Sequence, residues 1–157
     1  MNILHLVEAA SKDAELIYNW ANDPEVRNNA VNNEPIIYEN HLEWFNKKIN
    51  STESIIFIAY LNETPIGQIR FDKNNDDWQI DYLIDSIHRG KGFGKEIVWE
   101  GMKIMNKSFG NNLTFTAFVK ADNIASIKVF RNINYLELSN SIIDESEFLN
   151  FIYSPVK

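Results

Sequence analysis

Hydrophobic and polar residues alternate with a period of two in the middle of the chain, which is typical of strands with one buried face. The pattern covers Ile55–Leu61, Ile66–Asp72 and Trp78–Ile84, with turn residues at Asn62–Pro65 between the first two segments. It predicts three neighbouring antiparallel strands. Further strands are predicted at Ile3–Val7, Leu113–Val119, Tyr135–Leu138 and Phe148–Tyr153.

Elsewhere the apolar positions recur with the helical period of 3.6. The helices so predicted are Lys12–Trp20, Tyr38–Ile49, Gly92–Lys107 and Asn123–Asn132. Ser11 is a suitable N-cap for the first helix. Asn22–Asp23–Pro24 ends that helix, because the residue before a proline avoids the helical region. In the second helix Leu42, Phe45 and Ile49 share one face and are expected to be buried.

The predicted elements follow the order β-α-α-β-β-β-α-β-α-β-β, which indicates the α+β class. One strand–helix–strand unit lies in the second half, and such a unit makes its two strands parallel. The chain has 157 residues and shows no internal repeat or linker-like tract. We therefore expect a single domain over residues 1–157.

The chain carries a formal net charge of −7 and no cysteine. The acidic charge argues against nonspecific binding to nucleic acid, which depends on clustered Lys and Arg. The absence of cysteine excludes disulfides, zinc–thiolate sites and a cysteine nucleophile, and we expect no metal. No stretch approaches the ~20 apolar residues that span a bilayer, and no leader-like segment begins the sequence. We therefore expect a cytoplasmic protein without a membrane partner.

A glycine-rich loop joins the third strand of the predicted antiparallel group to the following helix. Its glycines allow the backbone to approach a ligand closely. The first N–H groups of the helix have no intrahelical partner, and together with the helix dipole they favour an anion. The glycines are Gly90, Gly92 and Gly94, and the interleaved basic residues are Arg89, Lys91 and Lys95. This chemistry suits a pyrophosphate.

Two familiar nucleotide motifs do not account for the loop. It lacks the Gly-Lys-Ser/Thr ending of a P-loop, and its glycine spacing is not that of a dinucleotide fold. A flexible helix start without a ligand is the remaining alternative. Three glycines among basic residues would weaken a purely structural helix start, which argues against it.

The segment Arg89-x-x-Gly92-x-Gly94 resembles the Arg/Gln-x-x-Gly-x-Gly/Ala signature of the GNAT acetyltransferases. The resemblance implies acetyl-CoA as cofactor and a mixed, mostly antiparallel sheet of about seven strands with about four helices and a splayed parallel strand pair. It places the backbone of Leu83, Ile84 and Asp85 along the pantetheine. The residues that it places around the pyrophosphate are Arg89, Gly90, Lys91, Gly92, Phe93, Gly94 and Lys95.

A later segment, Val119-x-x-x-Asn123-x-x-Ser126-x-x-x-Phe130, also resembles this family. By this resemblance Asn123 contacts the pantetheine, although asparagine is also a favoured N-cap. Ser126 either contacts the cofactor or permits close packing. Phe130 falls beside the cofactor, where many relatives carry the tyrosine that protonates the departing thiolate. Phenylalanine cannot do so, and another group, water or an unprotonated thiolate with a pKa near ~8.5 must serve instead.

Amine attack on a thioester requires removal of a proton from the amine. Asp81 lies in the middle of a predicted strand, two residues before the expected pantetheine contacts. It is the candidate base, and the alternative is a solvated carboxylate on an open sheet face.

The acceptor side is indicated by Trp20-x-Asn-Asp-x-x-Val-Arg27 and His41-x-x-Trp44-Phe, which resemble the GNAT branch that acetylates amino sugars linked to nucleotides, the pseudaminic-acid pathway type. In such a site Arg27 pairs with phosphate, Trp44 stacks on a ring, and His41 and Arg70 contact the ligand. Structural roles for these side chains remain the alternative.

Other acceptors and one other function class stay open. The acceptors are a ribosomal protein N-terminus, a polyamine and an aminoglycoside, and the other class is a non-catalytic CoA-binding module. The acidic charge favours cationic acceptors over an anionic nucleotide. The exposed edge of the Tyr135–Tyr153 region is a candidate for pairing with a second chain in a homodimer.

Overall fold

The computed structural model describes residues 3–155, and their eight strands form one sheet. The strands are β1 (Leu4–Glu8), β2 (Ser54–Leu61), β3 (Thr64–Asn74), β4 (Asp77–Ile84), β5 (Thr114–Lys120), β6 (Leu136–Glu137), β7 (Ser141–Ile143) and β8 (Ser146–Tyr153). Their order is β1-β2-β3-β4-β5-β8-β6, and β7 pairs with β8. The predicted α+β class is confirmed.

Five α-helices cover the two faces of this sheet in the described range. They are α1 (Ala14–Ala21), α2 (Pro24–Asn29), α3 (Tyr38–Ile49), α4 (Phe93–Phe109) and α5 (Ile124–Asn132). One core lies between the sheet and α4 with α5, and it is rich in phenylalanine, including Phe71, Phe115 and Phe130. A smaller core lies under α1 and α3.

One parallel pair interrupts the antiparallel sheet. Strands β4 and β5 pair in parallel only over Asp77–Gln79 with Thr114–Thr116. Beyond these residues β4 continues to pair with β3, and β5 continues to pair with β8. The segments 80–84 and 117–120 therefore separate, and we call the gap between them the splay. It follows from the strand–helix–strand unit that the sequence predicts.

The α1–α2 region differs most from expectation. Ser11 begins a 3-10 turn instead of capping α1, and the carboxylate of Asp13 accepts the N–H of Ala10 at 2.8 Å. Helix α2 is absent from the predicted elements, because a proline usually breaks a helix. Pro24 in fact opens α2 behind Asp23, whose carboxylate caps the helix, and proline is well suited to the first turn.

Smaller differences concern exposure and the sheet edge. On α3 the buried residues are His41 and Phe45, whereas Leu42 is exposed, so the buried face is turned by one residue. The short β7 is a further element that the pattern does not predict. The sheet ends at the two-residue β6, and pairing with a second chain there stays a prediction. Among the helices of residues 3–155, none is both long enough and apolar enough to cross a bilayer.

Candidate active site

The backbone of β4 presents unpaired polar groups to the splay. Asp85 N–H donates to Ile66 O at 2.8 Å, on the β3 side. Alternate residues of a strand direct their N–H and C=O groups to alternate sides. Tyr82 and Ile84 therefore direct theirs into the splay, whereas Leu83 and Asp85 direct theirs to β3. The predicted backbone contact of Leu83 and Asp85 is wrong for this reason, and that of Ile84 stays a prediction.

The loop before α4 is an open concave surface of backbone. Gly90 and Gly92 have φ angles of 76° and 85°, and a Cβ at either position would meet no atom within 4 Å. Gly94 serves a different purpose, because its Cβ would lie 3.2 Å from Val129 and 3.3 Å from Tyr82. Two glycines thus leave room outside the loop, and the third lets α4 pack closely.

The remaining loop residues fall into two groups. Lys91 and Lys95 are exposed beside the start of α4, where positive charge supports anion binding. Phe93 is partly buried, with its ring centroid 6.4 Å from that of His88. Phe93 therefore packs inside the loop, and its amide, at the first position of α4, is the group that faces a ligand.

Arg89 is committed to protein partners. Its Nε donates to Ile84 O at 3.0 Å, its Nη2 to the Asp23 carboxylate at 3.0 Å, and its Nη1 to the Glu25 carboxylate. Both carboxylates belong to the start of α2. Three of its five N–H groups are thus used within the protein and direct the guanidinium towards α2, and its predicted contact with the phosphate stays a prediction.

The start of α5 faces β4 across the far end of the splay. Asn123 caps α5 by accepting the Ser126 N–H at 3.3 Å, so the structure shows its capping role, and its contact with pantetheine stays a prediction. Ser126 Oγ lies 2.9 Å from Tyr82 Oη. Burial raises the pKa of Tyr82 to about 12, against an opposing effect of the Ser126 hydrogen bond, so its hydroxyl stays protonated at neutral pH.

Phe130 does not line the splay. It is 2% exposed, and its ring lies 4.9 Å from Tyr135 and 5.5 Å from Phe151, centroid to centroid. The expectation that Phe130 contacts the cofactor is therefore wrong. Tyr82 and Ser126 are 44 positions apart in the sequence, and no local pattern predicts that their hydroxyl groups meet.

Asp81 lies on the face of β4 opposite to that of Tyr82, and its carboxylate belongs to a network of charged side chains. Its carboxylate is exposed and accepts Arg70 Nη2 at 2.9 Å. Arg70 Nε donates to Asp72 at 2.7 Å, and the guanidinium lies over the Trp44 ring at 5.2 Å. Asp72 also accepts Lys48 Nζ at 2.8 Å. Arg70 and Trp44 therefore orient each other and Asp81, and the predicted stacking face of Trp44 is already covered by Arg70.

The pKa of Asp72 is set by two opposing effects. Burial acts to raise it, and the charge of Arg70 with hydrogen bonds from Lys48, Ser54 and Arg70 outweighs burial and lowers it. A carboxyl group with a depressed pKa stabilises the fold above its unfolded-state value, about 3.9, and this stabilisation is lost as the pH falls through the folded value.

Asp72→Asn is accordingly expected to lower the free energy of unfolding by about 1.5 to 3 kcal/mol at pH 7, the range for hydrogen bonds to charged groups. Below a pH of about 4 the difference from the parent should shrink, because the parent carboxylate also becomes protonated. Urea unfolding at pH 7 and at pH 3.5 measures both values. An equal loss at the two pH values would contradict this account.

His41 is a core residue. It is 3% exposed, its Nε2 lies 2.9 Å from Ala14 O, and it stacks on Phe45 with centroids 5.9 Å apart. Burial lowers its pKa, against the effect of the Ala14 hydrogen bond. The predicted ligand contact is wrong, because a side chain that joins α3 to α1 beneath the surface has no free face.

Arg27 lies at the wall of an open cavity of about 530 Å³, together with Asn22, Pro24, Asn28, Asn33 and Pro35. Its Nε donates to Ala21 O at 2.7 Å and its Nη1 to Asn32 O at 3.0 Å. Burial lowers its pKa, and the charge of Asp81 acts to raise it.

In residues 3–155 no three or more His, Cys, Asp or Glu side chains are grouped to hold a metal ion.

Strands β4 and β5 separate beside the glycine-rich start of α4. A family model for an acetyltransferase (GNAT) domain matches residues 4–135, and the chain belongs to the GNAT acetyltransferase family. It is an acyltransferase with the mixed α+β fold of that family.

Three known proteins that are similar to this chain are distant from it in sequence. Acetyltransferase PseH of Campylobacter jejuni is 25% identical over 131 residues, 83% of this chain and 82% of that protein. A domain from Methanocaldococcus jannaschii has a TM-score of 0.84 at 22% identity, over 99% of this chain and 100% of the other. Spermidine N-acetyltransferase from Vibrio cholerae, solved with CoA and spermine, has a TM-score of 0.85 at 17% identity, over 96% and 95%. At these identities the two structures establish the fold.

Proposed function

We propose that this enzyme transfers an acetyl group from acetyl-CoA to a primary amine on a sugar carried by a nucleotide. The observation that carries the acceptor class is the charge of Arg27 at the cavity wall. In the described part of the chain its hydrogen bonds go to the carbonyl oxygens of Ala21, Asn32 and Glu34, not to carboxylates. A guanidinium whose charge is not neutralised beside a cavity is suited to a phosphate.

The rest of that cavity also fits a sugar nucleotide. Asn28 and Asn33 are exposed at its wall, and amide side chains can donate to and accept from sugar hydroxyl groups. The charge of Asp81 acts on the pKa of Arg27, so a cation for the phosphate end of an acceptor and an anion for its amine end are near enough to interact. Similarity to acetyltransferase PseH supports the same branch.

The residues around the splay fit acetyl-CoA, because the space outside Gly90 and Gly92 is open to backbone contact with a pyrophosphate. These glycines and the first amides of α4 would hold it. The backbone N–H and C=O of Tyr82 and the N–H of Ile84, with the Asn123 amide, would orient the pantetheine arm, whereas the carbonyl oxygen of Ile84 already accepts Arg89 Nε. When bound, acetyl-CoA supplies an activated acetyl thioester.

Asp81 is the proposed base. Its carboxylate is exposed, and the Arg70 hydrogen bond at 2.9 Å holds one oxygen in a fixed direction. The other oxygen remains available to accept a proton from the acceptor amine. Positioned carboxylates act in this way when they lie within hydrogen-bond reach of the proton.

The hydroxyl pair of Tyr82 and Ser126 is the proposed acid. One O–H joins the two oxygens at 2.9 Å, and the second O–H is free to donate. Because the raised pKa of Tyr82 keeps it protonated, the pair holds a proton at neutral pH. It supplies the acid that Phe130 lacks.

Tyr82→Phe is expected to lower kcat about tenfold, the value of one neutral hydrogen bond, with little change in acetyl-CoA affinity. The loss should be the same from pH 6 to pH 9, since the pKa of Tyr82 is about 12. Ser126→Ala should add little to Tyr82→Phe, because the two hydroxyls act as a unit. Fully additive losses in the double variant would show that they act separately.

A cationic polyamine is the second candidate acceptor. The chain has a net charge of −7, and the carboxylates of Asp81 and Glu25 are exposed. The negative electrostatic field of these charges attracts ammonium groups and repels an anionic nucleotide at long range. Turnover of spermidine that falls steeply with salt would favour this candidate.

The deciding experiment is thiol release from acetyl-CoA with a nucleotide-linked amino sugar, the same amino sugar without its nucleotide, spermidine, an aminoglycoside and a ribosomal N-terminal peptide. Arg27→Gln should raise the KM for the nucleotide-linked sugar about tenfold, as expected for loss of a charge-assisted hydrogen bond. It should leave the free sugar unaffected. Lys107→Gln, an equal charge change at the exposed end of α4, is the control. Equal KM changes for both sugars would overturn the acceptor assignment.

A further inference from the structure

Helix α2 is tied to both sides of the splay. At its start Asp23 and Glu25 bind Arg89, which follows β4. At its end the carbonyl oxygen of Asn28 accepts Lys120 Nζ at 2.7 Å, and Lys120 is the last residue of β5. Six helical residues span about 9 Å, which exceeds the ~4.8 Å between paired strands. The helix therefore has the length to bridge two strands that have separated.

Packing alone does not hold α2 in this place. None of its residues is buried, and a helix of this length has no stability of its own in water. Val26 packs against the smaller core, and Arg27 holds α2 to Ala21 and Asn32. The ties to Arg89 and Lys120 fix the two ends of α2 relative to β4 and β5.

The helix also separates two cavities. One, of about 230 Å³, lies between α2 and the start of α5 and is lined by Glu25, Asn28, Asn29, Asp122, Asn123, Ile124 and Ala125. The other is the cavity of about 530 Å³ that Arg27 lines. Asn28 lines both cavities, so α2 is their common wall. Asn123, the predicted pantetheine contact, lines the smaller cavity, which therefore lies on the side proposed for the cofactor.

Arg89 connects this wall to the end of β4. The same guanidinium that binds α2 donates from Nε to Ile84 O at 3.0 Å, and Ile84 directs its polar groups into the splay. The side chain of Arg89 therefore joins the end of β4 directly to the start of α2.

We propose that Arg89 and Lys120 are positioning residues that hold α2 as a strap across the splay and thereby couple the cofactor site to the acceptor site. The inference rests on the proposed function, in that the acceptor lies against the Arg27 side of α2. Arg89 acts through Asp23 and Glu25, and it is not a ligand of the pyrophosphate.

Arg89→Gln tests this proposal, with Lys91→Gln as the matched control. Lys91 is exposed two residues further along the same loop, so both variants remove one positive charge from the glycine-rich loop before α4. The first readout is hydrogen exchange of the ligand-free protein. The amides of Arg27 and Ala30 donate to Asp23 O and Arg27 O, and their exchange should be about tenfold faster in Arg89→Gln, as expected when one interaction of ~1.4 kcal/mol is removed. Lys91→Gln should leave this exchange unchanged.

The second readout compares the effect of each variant on the acceptor KM with its effect on the Kd of CoA. Arg89→Gln should raise the acceptor KM about tenfold and change the Kd of CoA, measured by calorimetry, no more than Lys91→Gln does. Lys120→Gln, at the other end of the strap, should reproduce the rise in acceptor KM. Unchanged exchange with a selective loss of CoA affinity in Arg89→Gln would overturn the proposal and make Arg89 a phosphate ligand. Failure of every acceptor with the parent enzyme would instead count against the proposed function, because the exchange result does not depend on turnover.

Discussion

Asp81→Asn is expected to lower kcat by about 10² to 10⁴, the usual contribution of a positioned general base. The amide has nearly the shape of the carboxylate and can still accept the Arg70 hydrogen bond seen at 2.9 Å. It cannot accept a proton from the acceptor amine. The Kd of acetyl-CoA should stay within about twofold, since Asp81 lies on the face of β4 opposite Tyr82.

Single-turnover rates across pH 6 to 10 measure this effect. In the variant the rate should continue to rise with pH, because amine that is already neutral needs no base. Asp77→Asn, on the same strand at its paired end, is the control and should turn over like the parent. An Asp81→Asn enzyme within about twofold of the parent at pH 7 would assign the proton transfer to water.

Gly92→Val is expected to weaken acetyl-CoA binding by about 10- to 10²-fold. Gly92 has a φ of 85°, and the space that a side chain there would enter is open. A branched side chain would occupy the region where the pyrophosphate approaches the amides of α4. Hydrogen bonds from these amides to phosphate are charge-assisted, and removing one costs about 1.5 to 3 kcal/mol. Calorimetric titration with CoA measures the weakening directly.

The same substitution also strains the backbone, and a matched glycine separates the two effects. Gly110, at the other end of α4, has a φ of 121° and likewise no atom within 4 Å of its Cβ position. Gly110→Val should therefore cost at least as much stability as Gly92→Val, about 1 to 3 kcal/mol, and leave the Kd of CoA unchanged. Loss of affinity in both variants would mean that destabilisation, and not contact with the ligand, is responsible.

Local periodicity was enough to predict most of the elements. Helix α3 has the bounds that its pattern predicts, and the three central strands differ from prediction by at most two residues at either end. These segments are long and periodic, so propensity and tertiary packing favour the same structure. Helix α2 is short and lacks an apolar stripe, and its stability comes from contacts that are distant in sequence.

The candidate site was predicted well where it depends on the backbone and poorly where it depends on side-chain partners. Gly90 and Gly92 adopt the conformations that the loop pattern indicates. The surroundings of Arg89, His41 and Phe130 are set by residues up to 66 positions away, and no local pattern reports them. A basic residue beside glycines looks the same in sequence whether it meets a phosphate or a carboxylate.

The absence of buried residues in α2 bears on how such an enzyme changes its acceptor over evolutionary time. Substitutions at exposed positions usually alter stability by no more than about 0.5 kcal/mol. The cleft-facing positions of α2 can therefore vary with little risk to folding, provided that its capping aspartate and its two ties are kept. The cofactor half of the site has no such freedom, because Gly94 and Tyr82 pack against the main core. New acceptors can thus be acquired by mutating one short helix while acetyl-CoA chemistry is inherited unchanged.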